Sequence, residues 1–455
     1  MKISEVPFLI KSGKKQNIFG TDGIRGAMGI EPFTYQSITG LGHAIGQWAQ
    51  NKYGSVPVIL LGHDTRQSCS FVKAALQTGL LLHNVLLYDA QVVPTPTVCQ
   101  LLMHTKKFNL GIVISASHNP YQDNGIKLID ADRGKLALDD ELQLSALFYE
   151  QSLALIRYDS FGFTHNYDQA RDIYCATIAH YFDANFLCNT KIVLDCAHGA
   201  TYEIAERIFT HFGAQVILIN NKPTGTNINA NCGALHLTSL QEAVRQQQAG
   251  IGFAFDGDGD RVIAVNKNGM IKNGDDILAL LTQHPLYETQ STIVGTVMTN
   301  HGFEVWLKNQ GKKLTRTPVG DKYVGEQLER ETMLLGGEQS GHIILRDYLN
   351  TGDGIFTALR TLQAIIHTDN WSMETFTKFP QILINVPITI KKDLTTPYFT
   401  QLIATHEAQL HDGRLLVRYS GTESILRVMI EDADLLTAQT VANNLSQELA
   451  EALTI

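Results

Sequence analysis

"KIVLDCAHGATYEIAERIFTHFGAQVILI", residues Lys191 to Ile219, runs from a short apolar segment through a small-residue turn and an amphipathic helical segment into a second apolar run. Strand, helix and strand in that order read as a βαβ unit, because parallel strands need a long crossover and a helix is the usual one. The same rhythm occurs twice more. "VPVILLGHDTR" leads through "SFVKAALQTGLLL" to "NVLLYD", and "STIVGTVMTN" leads through "FEVWLKNQG" to "KKLTRTPVG". Three such units predict an α/β protein with mixed or parallel sheets covered by helices on both faces. The end of the chain has another order. Strands "ILINVPI", "GRLLVRYSG" and "SILRVMIE" precede a helix starting near Leu435, which reads as a smaller α+β domain.

The chain has 455 residues, too many for one core and enough for about three or four domains. Boundaries are expected in the polar stretch Arg157 to Asn166, after the "RVIAV" strand ending near Val265, and near residue 375, giving domains 1–158, 159–265, 266–376 and 377–455. With 44% hydrophobic and 18% charged residues, and no apolar run long enough for a bilayer, no membrane role is suggested. The N-terminal stretch "MKISEVPFLIKSGKKQN" lacks the apolar core of a secretory signal, so the expected location is cytoplasmic. Six scattered cysteines without a Cys-x-x-Cys pair predict reduced, buried thiols. A net charge of −9 disfavours nucleic-acid binding, so an anionic ligand must meet a local positive cluster.

In such folds ligands gather at the carboxyl ends of strands, and four polar turns follow apolar runs here. "FAFDGDGDRV" sets Asp256, Asp258 and Asp260 at alternate positions with glycines between them. Three converging carboxylates repel one another, and a hard divalent cation such as Mg²⁺ relieves that. It is not an EF-hand, since Arg261 and Lys267 occupy the places of the required glycine and glutamate. In "SASHNP", Ser117 sits in the turn whereas Ser115 lies close to the strand end, so Ser117 is the better nucleophile, with His118 and Asn119 placed to position it. The Gly-x-Ser-x-Gly elbow of acyl-transfer hydrolases is missing. "RYSGTESILR" offers Arg418, Ser420, Gly421, Thr422 and Arg427, a set suited to a phosphate dianion. "GGEQSGH" offers Glu338, Ser340 and His342 for reading sugar hydroxyls, and "FGTDGIRG" supplies Arg25 to stabilise transferred phosphoryl charge. "GLGHAIG", by contrast, reads as helix packing rather than a dinucleotide loop.

Through "SASHNP", "DGDGDR", "GEQSGH" and "RYSGTES", in that order and over essentially its whole length, the chain resembles the α-D-phosphohexomutase family. "FGTDGIRG", "DCAHGATY", "NINANCG" and "VGTVMTN" are similar to its members acting on amino sugars. The resemblance implies four domains around a central cleft and conversion of glucosamine 6-phosphate to glucosamine 1-phosphate, towards UDP-N-acetylglucosamine and cell-wall precursors. It also implies that Ser117 is the phosphorylated serine, and that Asp256, Asp258 and Asp260 hold one Mg²⁺ with an oxygen of that phosphoserine. A glucosamine or glucose 1,6-bisphosphate would act as primer, and a homodimer through the first domain would be the assembly. Within this scheme Lys127 is the preferred acid/base, as a lysine among cations with a lowered pKa, with His342 and His118 as competitors. Arg261 and Lys322 add positive charge around the phosphates.

Three alternatives use the same residues differently. A phosphomannomutase/phosphoglucomutase would act on neutral hexose phosphates by identical chemistry. In a haloacid-dehalogenase-type phosphatase "DGDRV" would make Asp258 the nucleophile, leaving the serine turn and the phosphate cradle without duties. A sugar-phosphate sensor would bind without turnover.

Overall fold

The computed structural model describes residues 17–20, 22–131, 134–150, 161–420 and 424–454. It divides into two compact units. The first comprises 1–271 with 320–322 and 344–359, and the second 272–319, 323–343 and 360–455.

The first sheet and its helices are built from β1 (Ile24–Ala27), α1 (Tyr35–Tyr53), β2 (Val58–His63), α2 (Cys69–Leu80), β3 (Leu86–Val92), α3 (Thr95–Thr105), β4 (Leu110–Ile114), β5 (Asp123–Asp130), β6 (Gly134–Lys135), α4 (Leu138–Tyr149) and β7 (Phe163–Asn166). Its strand order is β1-β5-β4-β2-β3-β7, with β6 paired to β5. β2 runs parallel to β3 and β4, whereas β5 returns antiparallel to β4. All of β4 is buried, as expected of a central strand covered on both faces. Helix α1 begins where the Thr34 side chain accepts the Ser37 N–H, and it packs on α2 almost backbone to backbone. A Cβ on Gly79 would stand 1.9 Å from the Thr39 carbonyl oxygen, and one on Gly42 would stand 2.2 Å from that of Leu76. The "GLGHAIG" run is therefore a packing surface.

The quoted stretch Lys191–Ile219 forms β8 (Lys191–Asp195), α6 (Ile204–His211) and β9 (Gln215–Ile219), preceded by α5 (Ala170–Ala179) and followed by α7 (Thr238–Gln247), β10 (Ile251–Phe255), β11 (Val262–Asn266) and β12 (Ile271–Lys272). The sheet order is β12-β11-β10-β8-β9. β8 is parallel to β9 and to β10, as the βαβ reading requires, and β11 turns back antiparallel to β10.

The third sheet contains β13 (Thr292–Thr296), β14 (Lys313–Thr317), β15 (Leu335–Gly337) and β16 (Ile343–Leu345), in the order β14-β13-β15-β16, with β13 parallel to β14 and β15. Its helices are α8 (Gly274–Leu281), α9 (His301–Asn309), α10 (Asp321–Glu331) and α11 (Gly354–Thr368). Asn273 and Asp276 close α8 with a capping box, satisfying amides that the first turn leaves unpaired. The last sheet, β17 (Gln381–Pro387), β19 (Ile425–Glu431) and β18 (Arg414–Tyr419), is antiparallel throughout. Val386, Leu426, Val428 and Ile430 on one face pack against Val441, Leu445 and Leu449 of α13 (Leu435–Thr454), with α12 (Pro397–Glu407) alongside.

Each predicted repeat thus appears with a parallel strand pair, and the last segment has its own α+β order. Four cysteines are buried, but Cys175 is half-buried and Cys188 is exposed, against the expectation that all lie in cores. No helix among the described residues is long and apolar enough to cross a membrane.

Candidate active site

Ser117 lies just past the end of β4, and the Asp256–Asp260 turn joins β10 to β11, so both follow the carboxyl ends of neighbour-paired strands in the first unit. Their side chains meet. Ser117 Oγ donates to Asp256 Oδ2 at 2.5 Å, although the residues are 139 positions apart. Carboxylate oxygens of Asp256, Asp258 and Asp260 lie within 4.8 Å of one another, and all three residues are buried. Burial first, then Asp260 and Asp258, raises the pKa of Asp256 well above the usual carboxylate range. Thr95, at the start of α3, donates its hydroxyl to Asp258 Oδ2 at 2.5 Å, while Asp258 Oδ1 is buried with no hydrogen-bond partner among the described residues. A buried, unsatisfied carboxylate oxygen beside two further carboxylates is a donor set that fits a hard divalent cation.

Lys127, on β5, reaches the same turn. Its Nζ is 2.9 Å from Asp258 Oδ2, 2.9 Å from Asp260 Oδ2 and 3.0 Å from Asp22 Oδ2. This corrects the expectation of a lysine among cations with a lowered pKa. Burial pulls the value down, but Asp22, Asp258 and Asp260 outweigh it and raise it well above the ordinary lysine range. Asp22 is caught in the same cluster. Its burial opposes ionisation, yet Lys127, Lys135 and Arg25 hold its carboxyl well below its usual value.

Arg25 binds Asp22 at 2.7 Å and the Ala116 carbonyl at 2.7 Å, immediately before the serine. His118 Nδ1 is 3.2 Å from Ser117 Oγ. Burial first, then Arg261 and Arg25, lowers the His118 pKa to about 4. Arg261 gives its backbone N–H to Asp256 Oδ1 at 3.1 Å, and its Nε lies 3.9 Å from Asp260. Lys322, expected to add free positive charge for phosphate, instead has its Nζ 3.6 Å from Glu141.

The remaining candidates belong to the second unit. Glu338 and His342 are buried on the turn from β15 to β16, where the Glu338 N–H bonds the His342 carbonyl at 3.0 Å, and Ser340 at its tip is exposed. Arg418 and Arg427 stand directly opposite each other on β18 and β19. They border a recess of about 190 Å³ whose other walls are Met298, Val319, Leu383, Leu416 and Met429. Burial, then Arg427, lowers the pKa of Arg418. Ser420 is buried at the head of the same hairpin, with its N–H on the Ile425 carbonyl at 2.9 Å. Gly421 and Thr422 lie outside the described residues.

Reading the sequence alone missed Asp22, Lys135 and Thr95 as parts of the first cluster. Asp64 and Arg66 of "GHDTR" and Asn229 of "NINANCG" had no expected duty either. Asp22 had one local signal, its position three residues before Arg25. The others meet the site only through the fold.

Sequence profiles for the four phosphoglucomutase/phosphomannomutase domains match the chain in order: α/β/α domain I over 16–154, II over 172–269, III over 273–381 and the C-terminal domain over 383–447. The chain belongs to the phosphoglucomutase/phosphomannomutase family, the α-D-phosphohexomutases. It is 38% identical over 450 residues to a phosphoglucosamine mutase of Syntrophotalea carbinolica, covering 96% of this chain and 97% of the relative. Among solved structures, a phosphoglucomutase/phosphomannomutase family protein of Burkholderia thailandensis superposes with a TM-score of 0.80 at 22% identity, covering 97% of this chain and 99% of that one. The N-acetylphosphoglucosamine mutase of Aspergillus fumigatus, solved with GlcNAc-6P and magnesium, gives 0.63 at 16% identity, with 96% of each chain covered. At these identities the two structures establish the phosphohexomutase fold. The four-part α/β architecture predicted from the motifs is the one observed.

Proposed function

We propose that this phosphohexomutase interconverts glucosamine 6-phosphate and glucosamine 1-phosphate, the activity for which relatives such as that of Syntrophotalea carbinolica are named. The observation that carries the mechanism is the Ser117 hydroxyl seated against Asp256 in a buried three-carboxylate turn. Ser117 carries the phosphoryl group, passes it to the free hydroxyl of the bound sugar phosphate, and takes back the other phosphate after the bisphosphate has turned over. Asp256, Asp258 and Asp260, with an oxygen of the phosphorylated Ser117, would hold one Mg²⁺, which would offset negative charge on the transferring group.

Lys127, carrying its proton beside Asp258 and Asp260, donates it to the serine oxygen as the phosphoryl group leaves, and the lysine left neutral takes up the proton that the attacking sugar hydroxyl gives up, so that the reverse step starts from the same charged lysine. His118, neutral above about pH 4, orients that oxygen. His342 is the competing acid/base group in the second unit. Arg25 and Arg261 balance charge around Ser117. Arg418, Ser420 and Arg427, with Gly421 and Thr422, bind whichever phosphate is not reacting, and Glu338 with Ser340 reads hydroxyls that occupy similar places in both orientations. Lys322, paired with Glu141, contributes to the phosphates only when that pairing breaks.

The division 1–158, 159–265, 266–376 and 377–455 assigns one polar turn to each segment. A glucosamine or glucose 1,6-bisphosphate supplies the first phosphoryl group, the enzyme works in the cytoplasm, and a homodimer through the first segment is its assembly.

The test is Ser117→Ala. Peptide mass spectrometry after incubation with glucose 1,6-bisphosphate should find phosphate on Ser117 in the wild type and none in the variant, whose turnover should fall to background. Full turnover by Ser117→Ala would overturn the reading.

A further inference from the structure

Ser117 has φ near +51°, a left-handed backbone that residues with a side chain adopt only when their surroundings impose it. The surroundings here are specific. Arg66 Nη2 donates to the carbonyl oxygens of Ser117 at 2.8 Å and Asn119 at 2.9 Å, and Nη1 donates to those of Asp123 at 3.1 Å and of Pro120. Asn229, from the loop between β9 and α7 of the same unit, donates Nδ2 to the same two oxygens, at 2.8 Å on Ser117 and 3.1 Å on Asn119.

Arg66 is itself fixed by Asp64, through Nε to Oδ2 at 2.8 Å and its backbone N–H to Oδ1 at 2.9 Å, and both side chains are fully buried. Ser115 closes the circuit. Its hydroxyl donates to Asp64 Oδ2 at 2.6 Å and accepts the Ser117 N–H at 2.9 Å.

The charge balance says what this arrangement is for. Arg66 faces a carboxylate, and its Nε, Nη1 and Nη2 are all engaged by Asp64 and backbone carbonyls, so it is poorly placed to bind phosphate. Ser115 spends its hydroxyl on tying Asp64 to the Ser117 N–H, which gives it a place in the circuit rather than in the transfer. What remains is geometry. A Cβ on Gly257, inside the carboxylate turn, would stand 2.6 Å from the Ser117 carbonyl oxygen and 2.9 Å from Asn229 Nδ2, so that turn seats directly against these contacts.

We propose that Asp64, Arg66, Ser115 and Asn229 are positioning residues, a clamp on the backbone of Ser117 that keeps its Oγ on the Asp256 side in both half-reactions. A mutase needs this more than a one-way transferase does, because the same oxygen must lie in line with two different sugar positions. Displacement by about 1 Å is enough to cost about 100-fold in rate. The inference rests on Ser117 being the phosphorylated residue.

The experiment uses the full chain with Mg²⁺ and glucose 1,6-bisphosphate as the phosphoryl donor. Uptake on Ser117 is measured first, then the single-turnover rate of transfer from phosphorylated enzyme to glucosamine 6-phosphate, and kcat and KM separately. For Ser115→Ala and Asn229→Ala the clamp predicts that Ser117 is still phosphorylated, that transfer and kcat fall about 10- to 100-fold, and that KM moves less than about threefold. If Ser115→Ala does not fold, Asn229→Ala at the edge of the network decides. Transfer rates within about twofold of wild type would overturn the clamp, as would kcat and KM failing together with a collapse in melting temperature, the signature of a merely structural role. Failure of the wild type to take up phosphate on Ser117 would instead sink the phosphoserine reading, so the two failures are distinguishable.

Discussion

Arg418 and Arg427 show how a functional residue can work against its own sheet. Like charges directly opposite on antiparallel strands destabilise the pair by about 0.2–1 kcal/mol, and the lowered pKa of Arg418 reflects burial and this neighbour. Arg418→Met should therefore leave the melting temperature unchanged or slightly raised while weakening binding of the non-reacting phosphate. Thermal unfolding and KM for glucosamine 6-phosphate check the two halves, and an unchanged KM would remove Arg418 from the phosphate site. The sequence displayed these arginines because five residues of hairpin carry most of the motif. It gave a false account of Lys127 for the converse reason. Arg25 and Arg261 are conspicuous within their motifs, whereas the groups that set the lysine's charge, Asp258 and Asp260, lie more than 100 positions away and touch it only after two sheets have formed. Ser117 was legible because strand and turn are local, but its left-handed backbone and the Arg66 contacts were not.

At the scale of elements, the carboxylate turn and the α1–α2 pair each make a prediction. Mutual repulsion in the turn is relieved by a bound cation, so Mg²⁺ should raise the melting temperature of the wild type and raise it less in Asp258→Asn, whatever either does to activity. An equal shift in both would take Asp258 out of the ligand set. Between α1 and α2, Gly79→Ala would force a methyl group to within 1.9 Å of a carbonyl oxygen, and overpacking of this kind costs about 1–3 kcal/mol, readable as a lower denaturant midpoint. The same helices bring His83 Nε2 within 2.9 Å of His43 Nδ1, and burial, then His43, lowers the His83 pKa to about 4. The unfolded chain protonates this histidine near its ordinary value while the folded one resists until about pH 4. Stability should therefore fall as pH drops through that window, and His83→Gln should flatten the fall in a series of melting curves. The apolar parallel strands were readable as runs because both their faces are buried. β7 was not, since its four residues are all exposed and it is held by main-chain pairing to β3, which is why the stretch around it read only as polar linker.

For the whole molecule, a net charge of −9 coexists with an anionic substrate because individual cations, Arg25, Arg261, Arg418 and Arg427, stand in or beside the motif turns. The architecture was legible from three repeats of one rhythm and a closing segment of another. The rule that ligands collect at the carboxyl ends of strands pointed to the serine turn and the carboxylate turn separately, and the family resemblance implied that they meet. Substrate preference was the least legible part, since glucosamine and neutral hexose phosphates demand the same chemistry and differ at one sugar substituent. Phosphorus NMR of the purified chain with glucosamine 6-phosphate, Mg²⁺ and a trace of hexose 1,6-bisphosphate, with glucose and mannose 6-phosphates run in parallel, separates a mutase from a phosphatase and ranks the sugars. Glucosamine 1-phosphate should appear rapidly and without free phosphate, faster than the product from either neutral sugar. Free phosphate as the sole product would contradict it and move the nucleophile from Ser117 to Asp258.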